Sequence, residues 1–359
     1  MSKWQSLKAY QQMKSKYEKE YFKLGGDYAW FNGDKLTKKS VNQLIQNLEK
    51  KQLYNIWSED PTMREYDEVV HSFNQKSVKP NQFNLFDGFS VEKIQRDIKI
   101  DVTKELDSIN EHIASLCNYN ENHVKLVKYF IAHIFKKPDV LPQFCIVFIS
   151  KEGVGKDILY EMLENMIGSQ STFNVDQLDK IVGRFNSVLG GKILGVINET
   201  DPKDSSERRD NIKYITTAKK VEIEGKHKDP IKTDNCCRMC FFANRLCAFP
   251  VEQGARRPFI IQCSEKYLPK NIGAVENKRH FDRLIEIMKN QQVLRAFYDE
   301  LMKFDVDNFN FKEIEKSELH NTLIEAIKPP LAEFLAELCY KNKNKDIFTI
   351  ETTEFLAMY

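Results

Sequence analysis

Three kinds of segment are missing from this sequence, and each absence excludes a class of protein. No run of about 18 apolar residues occurs in the 359 residues, so no membrane-spanning helix is predicted. The polar, lysine-rich start has no apolar stretch of the kind that a secretion signal requires, so we expect an intracellular protein without a membrane partner. Internal repeats and low-complexity tracts are also absent, which excludes a repeat architecture.

An excess of charge of one sign is lacking as well. The 54 lysines and arginines almost balance the 52 aspartates and glutamates, which gives a formal net charge of +2 at pH 7. This balance provides no overall attraction to nucleic acid. Any nucleic-acid contact therefore has to come from a local basic patch.

The cysteines do not have the spacing of a disulfide framework. Eight cysteines are spread along the chain, and two of them are adjacent at Cys236 and Cys237, which is typical of reduced thiols. Cys237 and Cys240 form a C-x-x-C pair that could bind zinc, but Cys240 falls within an apolar run and a second ligand pair is missing. We therefore favour buried thiols over a zinc site.

Three short apolar runs rich in β-forming residues alternate with helical patterns. They are Phe144–Ile149, Ile193–Ile197 and Met239–Ala243. Each run is too short for a core helix and is typical of a strand that is buried on both faces. Strands that alternate with helices predict an α/β fold, with a central, mostly parallel sheet and helices on both of its faces.

The remainder of the chain divides around this core. We expect aromatic turns around Trp30–Gly33 and an extended connector over Ser77–Phe86. The predicted regions are an accessory or linker region (1–100), a helical layer (101–140), the α/β core (141–265) and a C-terminal helical region (266–359).

The strand that ends at Ile149 runs into S-K-E-G-V-G-K-D, from Ser150 to Asp157, and then into a helix. This is the context of a phosphate-binding loop: the glycines let backbone N–H groups converge on phosphate oxygens, and the lysine reaches the β and γ phosphates. The alternative is an ordinary glycine turn with an incidental lysine. We predict an ATP site formed by Gly153, Val154, Gly155, Lys156, Asp157 and Ile158.

The loop departs from the usual pattern at two positions. Ser150 stands where the first glycine is expected, and Asp157 stands where a Ser or Thr hydroxyl normally contacts Mg²⁺. The Asp157 carboxylate can hold Mg²⁺ directly or through water, but it also repels the triphosphate. We therefore expect slow turnover.

The second strand ends in Asn198-Glu199-Thr200, at the edge where α/β sheets have their ligand sites. Glu199 is the candidate general base for the attacking water, and with Asp157 a candidate metal ligand. Asn198 stands where many ATPases with a phosphate-binding loop have an aspartate directed at the metal ion. More of the metal binding is therefore left to Asp157 or water. Alternatively, Glu199 only caps the next helix.

The third strand delivers Asn244 to the same edge, where its amide could sense the γ phosphate and hold the attacking water. About ten residues later, Arg256 and Arg257 precede a further apolar strand. One of them could reach the nucleotide of a neighbouring subunit and stabilise the charge that develops on the γ phosphate. The alternative is that both arginines lie on the surface or in structural salt bridges.

A β-hairpin is predicted around Gly225, because apolar and charged residues alternate over Val221–Glu224 and resume at Ile231. Its tip carries Lys226, His227 and Lys228. Such a tip suits contact with a nucleic-acid backbone, although a solvated turn with surface lysines is the alternative.

The ordered motifs resemble the superfamily 3 helicase domain of phage and viral primase-helicases, and within that family most of all the C-terminal, helicase-like half of a phage primase-polymerase. The segment that precedes this helicase domain in primase-helicases also has a counterpart here, in the sequences YNIWSEDP and NQFNLFDGF. The motifs that carry the resemblance are GVGKD (153–157), NET (198–200), EGKHKDP (224–230), FFANR (241–245) and ARRPF (255–259).

This resemblance implies an AAA+ type P-loop ATPase fold, flanked by N-terminal and C-terminal helical regions, in which residues 101–140 form an oligomerisation layer. It also implies a hexameric ring around single-stranded or forked DNA, with ATP and Mg²⁺ at the subunit interfaces. A primase-polymerase module would lie upstream, so that this chain is a fragment, and the location would be the cytoplasm of a bacterial host cell.

Three functions are compatible with these motifs. The first is an ATP-dependent DNA helicase or translocase motor of a phage replication protein. The second is a nucleotide-dependent DNA clamp that hydrolyses ATP weakly or not at all and supports a fused primase-polymerase, as the altered loop and metal positions suggest. The third is a small-molecule kinase, but no lid or substrate motif is evident in the sequence.

Overall fold

The structure is a computed structural model that describes residues 8–32, 35–47, 51–198, 209–227, 229–244, 249, 251 and 254–326. In this part of the chain, no helix has both the length and the apolarity that spanning a lipid bilayer requires. Short 3-10 helices occur at Gln75–Ser77, Ser90–Lys93, Ser169–Ser171, Ser187–Leu189 and Phe311–Glu313.

The N-terminal region folds around its own small sheet. Its elements are α1 (Lys8–Tyr17), β1 (Tyr21–Leu24), β2 (Asp27–Phe31), β3 (Leu36–Lys39), α2 (Val41–Asn47), α3 (Lys51–Ser58) and β4 (Glu65–Tyr66). The strand order is β3-β2-β1-β4. Trp57 of α3 is fully buried, and its ring packs against Tyr17 and Tyr28. The resemblance had implied a helical N-terminal region, but this region contains a four-stranded sheet as well as helices.

The aromatic segment that we expected to form a turn belongs to strand β2. Trp30 and Phe31 are its last residues, and Trp30 is paired with Thr37 of β3. One turn lies before it, at Gly25 and Gly26, whose φ angles are 54° and 91°, and Gly33 of the expected turn lies outside the described residues. Because glycine adopts such angles without steric cost, the chain reverses there and the aromatic residues remain in the strand.

A short two-stranded sheet leads from this region to the core. It consists of β5 (Glu68–Val70) and β6 (Gln82–Asn84), which run parallel. The predicted extended connector therefore contains a strand. Beyond β6, Phe86 and Phe89 are buried in the main core and hold the connector against it.

Two helices form the predicted helical layer, α4 (Thr103–Leu116) and α5 (Glu121–Lys136). The Asn120 side chain accepts a hydrogen bond from the backbone N–H of His123 and thereby caps the start of α5. Both helices bury an apolar face in the main core.

The core is an α/β unit with five parallel strands. Its elements are β7 (Cys145–Ile149), α6 (Lys156–Ile167), β8 (Thr172–Val175), α7 (Asp179–Val182), β9 (Leu194–Asn198), α8 (Arg209–Thr217), β10 (Lys220–Ile223), β11 (Ile231–Asp234), β12 (Arg238–Ala243) and β13 (Pro258–Gln262). The sheet order is β13-β7-β12-β9-β8, and all of its pairs are parallel. The predicted parallel sheet is confirmed, with β8 as an edge strand that we did not predict.

Helices cover both faces of this sheet, as expected for an α/β fold. Alternate residues of β7 point in opposite directions, so that Ile146 and Phe148 join one apolar cluster, and Cys145, Val147 and Ile149 join the other. The first cluster includes α4, α5 and α6. It also includes two C-terminal helices, α10 (Ala274–Lys289) and α11 (Gln291–Met302), which follow the short helix α9 (Pro269–Ile272). The second includes α7, α8 and α12 (Glu318–Ala326).

Buried thiols lie throughout this core. The six cysteines in the described part of the chain are free and buried, and burial raises the pKa of each thiol. They therefore act as small apolar residues, in agreement with the sequence analysis.

A fully buried arginine joins the sheet to the helical layer. Arg238, the first residue of β12, donates from its two terminal nitrogens to the carbonyl oxygens of Pro138, Cys236, Lys137 and Val140 and to the His133 ring, at 2.6–3.1 Å. Burial lowers its pKa to about 10, so it is charged at neutral pH. Because the acceptors other than Cys236 lie at the end of α5 and just after it, the arginine also stabilises a helix C-terminus.

Candidate functional site

The loop between β7 and α6 has the backbone geometry of a phosphate cradle. Gly153 and Gly155 have φ angles of 83° and 90°, in the left-handed region that favours glycine. Gly155 caps the N-terminus of α6, whose first residue is Lys156. Unpaired N–H groups at a helix N-terminus attract anions, so this loop is suited to bind a phosphate group.

Lys156 lies at the carboxyl edge of the sheet and is buried there. Its Nζ donates to the Oγ of Ser150 at 2.6 Å, to the Oδ1 of Asn244 at 2.9 Å and to the carbonyl oxygen of Ala243 at 3.4 Å. The structure thus brings together Lys156 and Asn244, two residues that we predicted from separate motifs 88 residues apart.

The serine that replaces the first glycine of the motif has a local role. Ser150 Oγ accepts the hydrogen bond from Lys156 and donates one of 2.7 Å to the carbonyl oxygen of Lys151. The serine therefore orients the lysine in the cleft, and its side chain does not obstruct the loop.

A cleft of about 510 Å³ opens above this edge of the sheet. Among the predicted residues, Val154 is buried, Ile158 is half-buried and Asp157 is exposed in the first turn of α6. The lining residues are Glu152, Gly153, Val154, Gly155, Lys156, Asp157, Ile158, Asp176, Asn198, Phe242, Asn244 and Phe281.

Oxygen atoms near Asp157 suit a hard cation. Asn198 at the end of β9 donates from Nδ2 to the Oδ1 of Asn174 at 2.9 Å, while its own Oδ1 is buried without a hydrogen-bond partner. Asp176, just beyond β8, lines the same cleft. The second predicted metal ligand, Glu199, lies outside the described residues.

Three or more His, Cys, Asp or Glu side chains do not converge anywhere in the described part of the chain as a preformed metal site. Mg²⁺ bound to a nucleotide usually takes only one or two carboxylates from the protein and fills its other positions with phosphate and water. Asp157 and the unpaired Oδ1 of Asn198 therefore fit such an ion.

The two candidate arginines lie at the opposite edge of the sheet. Arg256 is exposed and Arg257 is half-buried, just before β13, and the backbone N–H of Cys145 at the start of β7 donates to the carbonyl oxygen of Arg257 at 3.1 Å. At about 3.3 Å per residue, the five residues of β13 separate them from the cleft edge by roughly 17 Å. They do not line the cleft of their own chain.

The predicted hairpin is present as β10 and β11, which pair antiparallel from Lys220↔Asp234 to Ile223↔Ile231. Lys226 and His227 are exposed in the turn, and Lys228 lies outside the described residues. At the turn end of the hairpin, Arg184 Nε donates to the carboxylate of Glu224, the residue that follows β10, at 3.0 Å.

Sequence reasoning missed three residues around the cleft: Asp176, Phe281 and His112. Asp176 follows T-F-N-V, a short run whose alternation is a weak signal for an edge strand. His112 of α4 and Phe281 of α10 contact the loop from distant parts of the chain. For these two, no local pattern could have indicated the contact.

Comparison with known proteins finds a partial match to a family without an assigned function, and solved structures with a similar fold. The model of a family of unknown function, DUF5906, matches residues 148–257. No curated protein matches the chain. Among solved structures, the apo C-terminal region of NrS-1 matches with a TM-score of 0.68 and 16% identity, over 98% of this chain and 84% of that one.

A second structure of the same region, described as an A form apo structure, has a TM-score of 0.66 and 16% identity over the same shares. A JCV helicase structure matches at 13% identity over 64% of this chain and 61% of that one. Its TM-score of 0.36 is too low to indicate a shared fold. The expected resemblance to the C-terminal half of a phage primase-polymerase is thus confirmed at the level of the fold.

Proposed function

We propose that this chain is the motor domain of a phage replication protein that hydrolyses ATP to move on DNA. The observation that carries this proposal is the position of Lys156. Its ammonium lies at the end of a glycine loop, within 2.9 Å of Asn244, in a cleft at the carboxyl edge of a five-stranded parallel sheet. An AAA+ type domain of the superfamily 3 class has this set of motifs in this order.

ATP would lie in the cleft with its phosphates on the N–H groups of residues 153–158. When bound, ATP with Mg²⁺ supplies a γ phosphate that water can attack once its charge is neutralised. The ammonium of Lys156 would balance charge on the β and γ phosphates, and a phosphate oxygen would form a stronger hydrogen bond with it than the uncharged oxygens of Ser150, Ala243 and Asn244 do.

The other predicted residues divide the remaining tasks. Asp157 and Asn198 would hold the metal ion, together with Glu199 or water. Glu199 would take the proton of the attacking water, and Asn244 would orient that water. Exchange of a hydroxyl for a carboxylate at residue 157 adds negative charge beside the triphosphate, so slow hydrolysis is expected.

Ring assembly would explain the position of the arginines. Because Arg256 and Arg257 lie at the edge opposite to the cleft, either of them could reach a nucleotide only in a neighbouring copy of the chain. A hexameric ring with ATP at its interfaces provides such a neighbour. In that ring, Lys226, His227 and Lys228 would contact the phosphate backbone of single-stranded or forked DNA.

The second candidate is a nucleotide-dependent clamp that binds DNA and supports a primase-polymerase without efficient hydrolysis. Two substitutions favour it: Asp157 replaces a hydroxyl and Asn198 replaces a carboxylate at the two positions that usually hold the metal ion. A clamp needs ATP binding and ring closure but not turnover.

Steady-state ATP hydrolysis with Mg²⁺, with and without single-stranded DNA, distinguishes the two. The motor should show DNA-stimulated release of phosphate that disappears in Lys156→Ala. Lys151→Ala, which alters an exposed lysine of the same loop, is the matched control and should retain turnover. ATP binding without turnover would support the clamp, and turnover that persists in Lys156→Ala would contradict both proposals for this cleft.

A further inference from the structure

A buried histidine from the helical layer contacts the phosphate loop from behind. His112 of α4 is 3% exposed, and its Nε2 lies 3.0 Å from the carbonyl oxygen of Gly155. Since a carbonyl only accepts, Nε2 carries the proton and donates it. The other ring nitrogen, Nδ1, is buried without a partner. The ring is therefore neutral, and burial lowers its pKa to about 4.

The ring also fills the space that a side chain at residue 155 would need. A Cβ added to Gly155 would lie 2.6 Å from the Cε1 of His112 and 2.7 Å from the Cε1 of Phe281. The loop backbone is thus enclosed between α4 and α10 at the residue where it takes its left-handed turn. Residue 155 must therefore be glycine for two reasons: its positive φ angle, and the lack of space for a Cβ atom.

His112 donates to the Gly155 carbonyl oxygen, which otherwise accepts only one long hydrogen bond within the helix. Within α6, the backbone N–H of Leu159 approaches the Gly155 oxygen only to 3.4 Å, beyond the usual range of an N–H···O bond. The histidine at 3.0 Å is the closer donor. It therefore fixes the peptide that precedes Lys156 and the orientation of the next N–H group.

The helix that carries His112 is itself anchored. The carboxylate of Glu111 accepts hydrogen bonds of 2.6–2.7 Å from Tyr119, Lys266 and Tyr267. Tyr267 in turn stacks on His280 of α10, with ring centroids 3.7 Å apart. Because α4 is held to the segment after β13, the histidine cannot follow a movement of the loop without losing its hydrogen bond.

We propose that His112 is a positioning residue that holds the Gly155 peptide in the conformation required to bind the nucleotide's phosphates. The inference rests on the proposed function and extends it, because it makes phosphate binding dependent on the helical layer. Movement of α4 relative to the sheet would then alter nucleotide affinity. The residue itself contacts no substrate.

The test is the affinity for ATP with Mg²⁺, measured by calorimetry well below the unfolding temperature. His112→Met removes the donor and retains an apolar side chain, and we expect its Kd to rise about tenfold. His112→Gln can place an amide N–H near the position of Nε2, and its Kd should stay within about twofold of that of the unmodified chain. This rescue by a donor is not expected of a residue that only fills space.

His320→Met is the matched control for the loss of a buried histidine. His320 lies in α12 on the other face of the sheet, 2% exposed, with its Nδ1 unpaired. This variant should unfold at a lower temperature but bind ATP as the unmodified chain does. An unchanged Kd in His112→Met, or equal weakening in the Gln and Met variants, would overturn the inference while leaving the proposed function intact.

A measurement on the unmodified chain covers the case in which the variants do not fold. Histidine ¹⁵N–¹H spectra should show a proton on Nε2 of His112, and that signal should shift when ATP and Mg²⁺ are added. A proton on Nδ1, or no shift at saturating ATP, would overturn the inference. If the unmodified chain binds no ATP at all, the proposed function fails and this inference fails with it.

Discussion

Strand β12 begins with the polar residue Arg238 and is followed by the polar residue Asn244, and the two ends serve opposite purposes. At the amino edge of the sheet, the Arg238 guanidinium is fully buried, and both of its terminal nitrogens are bound by neutral oxygens and the His133 ring. At the carboxyl edge, six residues later, Asn244 lies beside Lys156 in an open cleft. At this strand, the amino edge is thus fixed by polar contacts and the carboxyl edge opens into the cleft.

The two edges differ in whether their polar side chains are enclosed by protein or line an open cleft. The Arg238 side chain is fully buried and both of its terminal nitrogens bind protein acceptors, although its Nε has no partner, whereas Asn198 lines the open cleft and has a buried oxygen without a partner. A buried polar group without a partner costs about 1–3 kcal/mol, and such groups concentrate at functional sites. We infer that the amino edge stabilises the fold and the carboxyl edge carries the chemistry.

The largest effect is expected from Arg238→Met. The substitution leaves several buried carbonyl oxygens at the end of α5 without a donor, so the free energy of unfolding should fall by about 3–5 kcal/mol. Urea unfolding measures this, and ATP affinity of the folded fraction should not change. Arg279→Met, at an exposed arginine of α10, is the control and should stay within about 0.5 kcal/mol. A small loss in Arg238→Met would contradict a stabilising amino edge.

Asn244→Ala is expected to act on chemistry and not on stability. If the amide orients the attacking water, ATP turnover should fall about 100-fold, as for the loss of one preorganised hydrogen-bond donor, while ATP still binds. Asn290→Ala is the comparison, because Asn290 caps α11 and its loss should cost about 1 kcal/mol of stability and no turnover. Equal turnover in the two variants would remove Asn244 from the mechanism.

Acid should destabilise the fold through its buried histidines. Burial lowers the pKa to about 3 for His133 and to about 4 for His71, His112 and His320, against an ordinary value of 6.5. The unfolded chain therefore takes up protons first, and stability should fall as the pH drops from about 6.5 to 4, by up to about 1.4 kcal/mol per pH unit for each histidine.

His133 is the buried histidine through which acid should weaken the contacts of Arg238 at the amino edge. In the folded chain its Nδ1 accepts from Arg238 at 3.0 Å, which a protonated ring could not do. In urea unfolding at pH 7.5 and pH 5, His133→Gln should show a smaller loss of stability on acidification than the unmodified chain, because the amide oxygen can still accept. The same loss in both proteins would exclude His133 as a cause.

The smallest effect is expected from Lys226→Ala in the hairpin. Loss of one exposed lysine should weaken binding to single-stranded DNA a few-fold and reduce the steepness of its salt dependence by about one ion. Fluorescence anisotropy at several salt concentrations measures both quantities. Lys38→Ala, in the N-terminal sheet, should leave them unchanged. If Lys38→Ala weakened DNA binding more than Lys226→Ala does, the DNA would contact the N-terminal region and not the hairpin.

The sequence predicted the three central strands and the phosphate loop because both have local signatures. Ile193–Ile197 and Met239–Ala243 are continuous apolar runs, as strands buried on both faces require. Strand β8 was missed because an edge strand such as Thr172–Val175 needs only alternate apolar residues. β2 was missed because its aromatic residues next to glycines resembled a turn.

The parts of the site that escaped prediction are contacts between distant segments. The hydrogen bond between His112 and Gly155 joins residues 43 positions apart, and that from Lys156 to Asn244 joins residues 88 apart. Residue types and spacing predicted that Lys156 and Asn244 would reach the same edge. They gave no indication that a histidine of the helical layer would support the loop, because helix packing brings it there.

Nucleotide binding at the carboxyl edge of the sheet is tested most directly by calorimetric titration of the chain with ATP and Mg²⁺, in parallel with Lys156→Ala and Lys151→Ala. If the carboxyl edge binds the triphosphate, the unmodified chain and Lys151→Ala should bind with equal affinity. Lys156→Ala should bind about 10–100-fold more weakly, since a charged hydrogen bond contributes about 1.5–3 kcal/mol. Equal binding by all three proteins would show that the nucleotide, if bound, does not occupy this cleft.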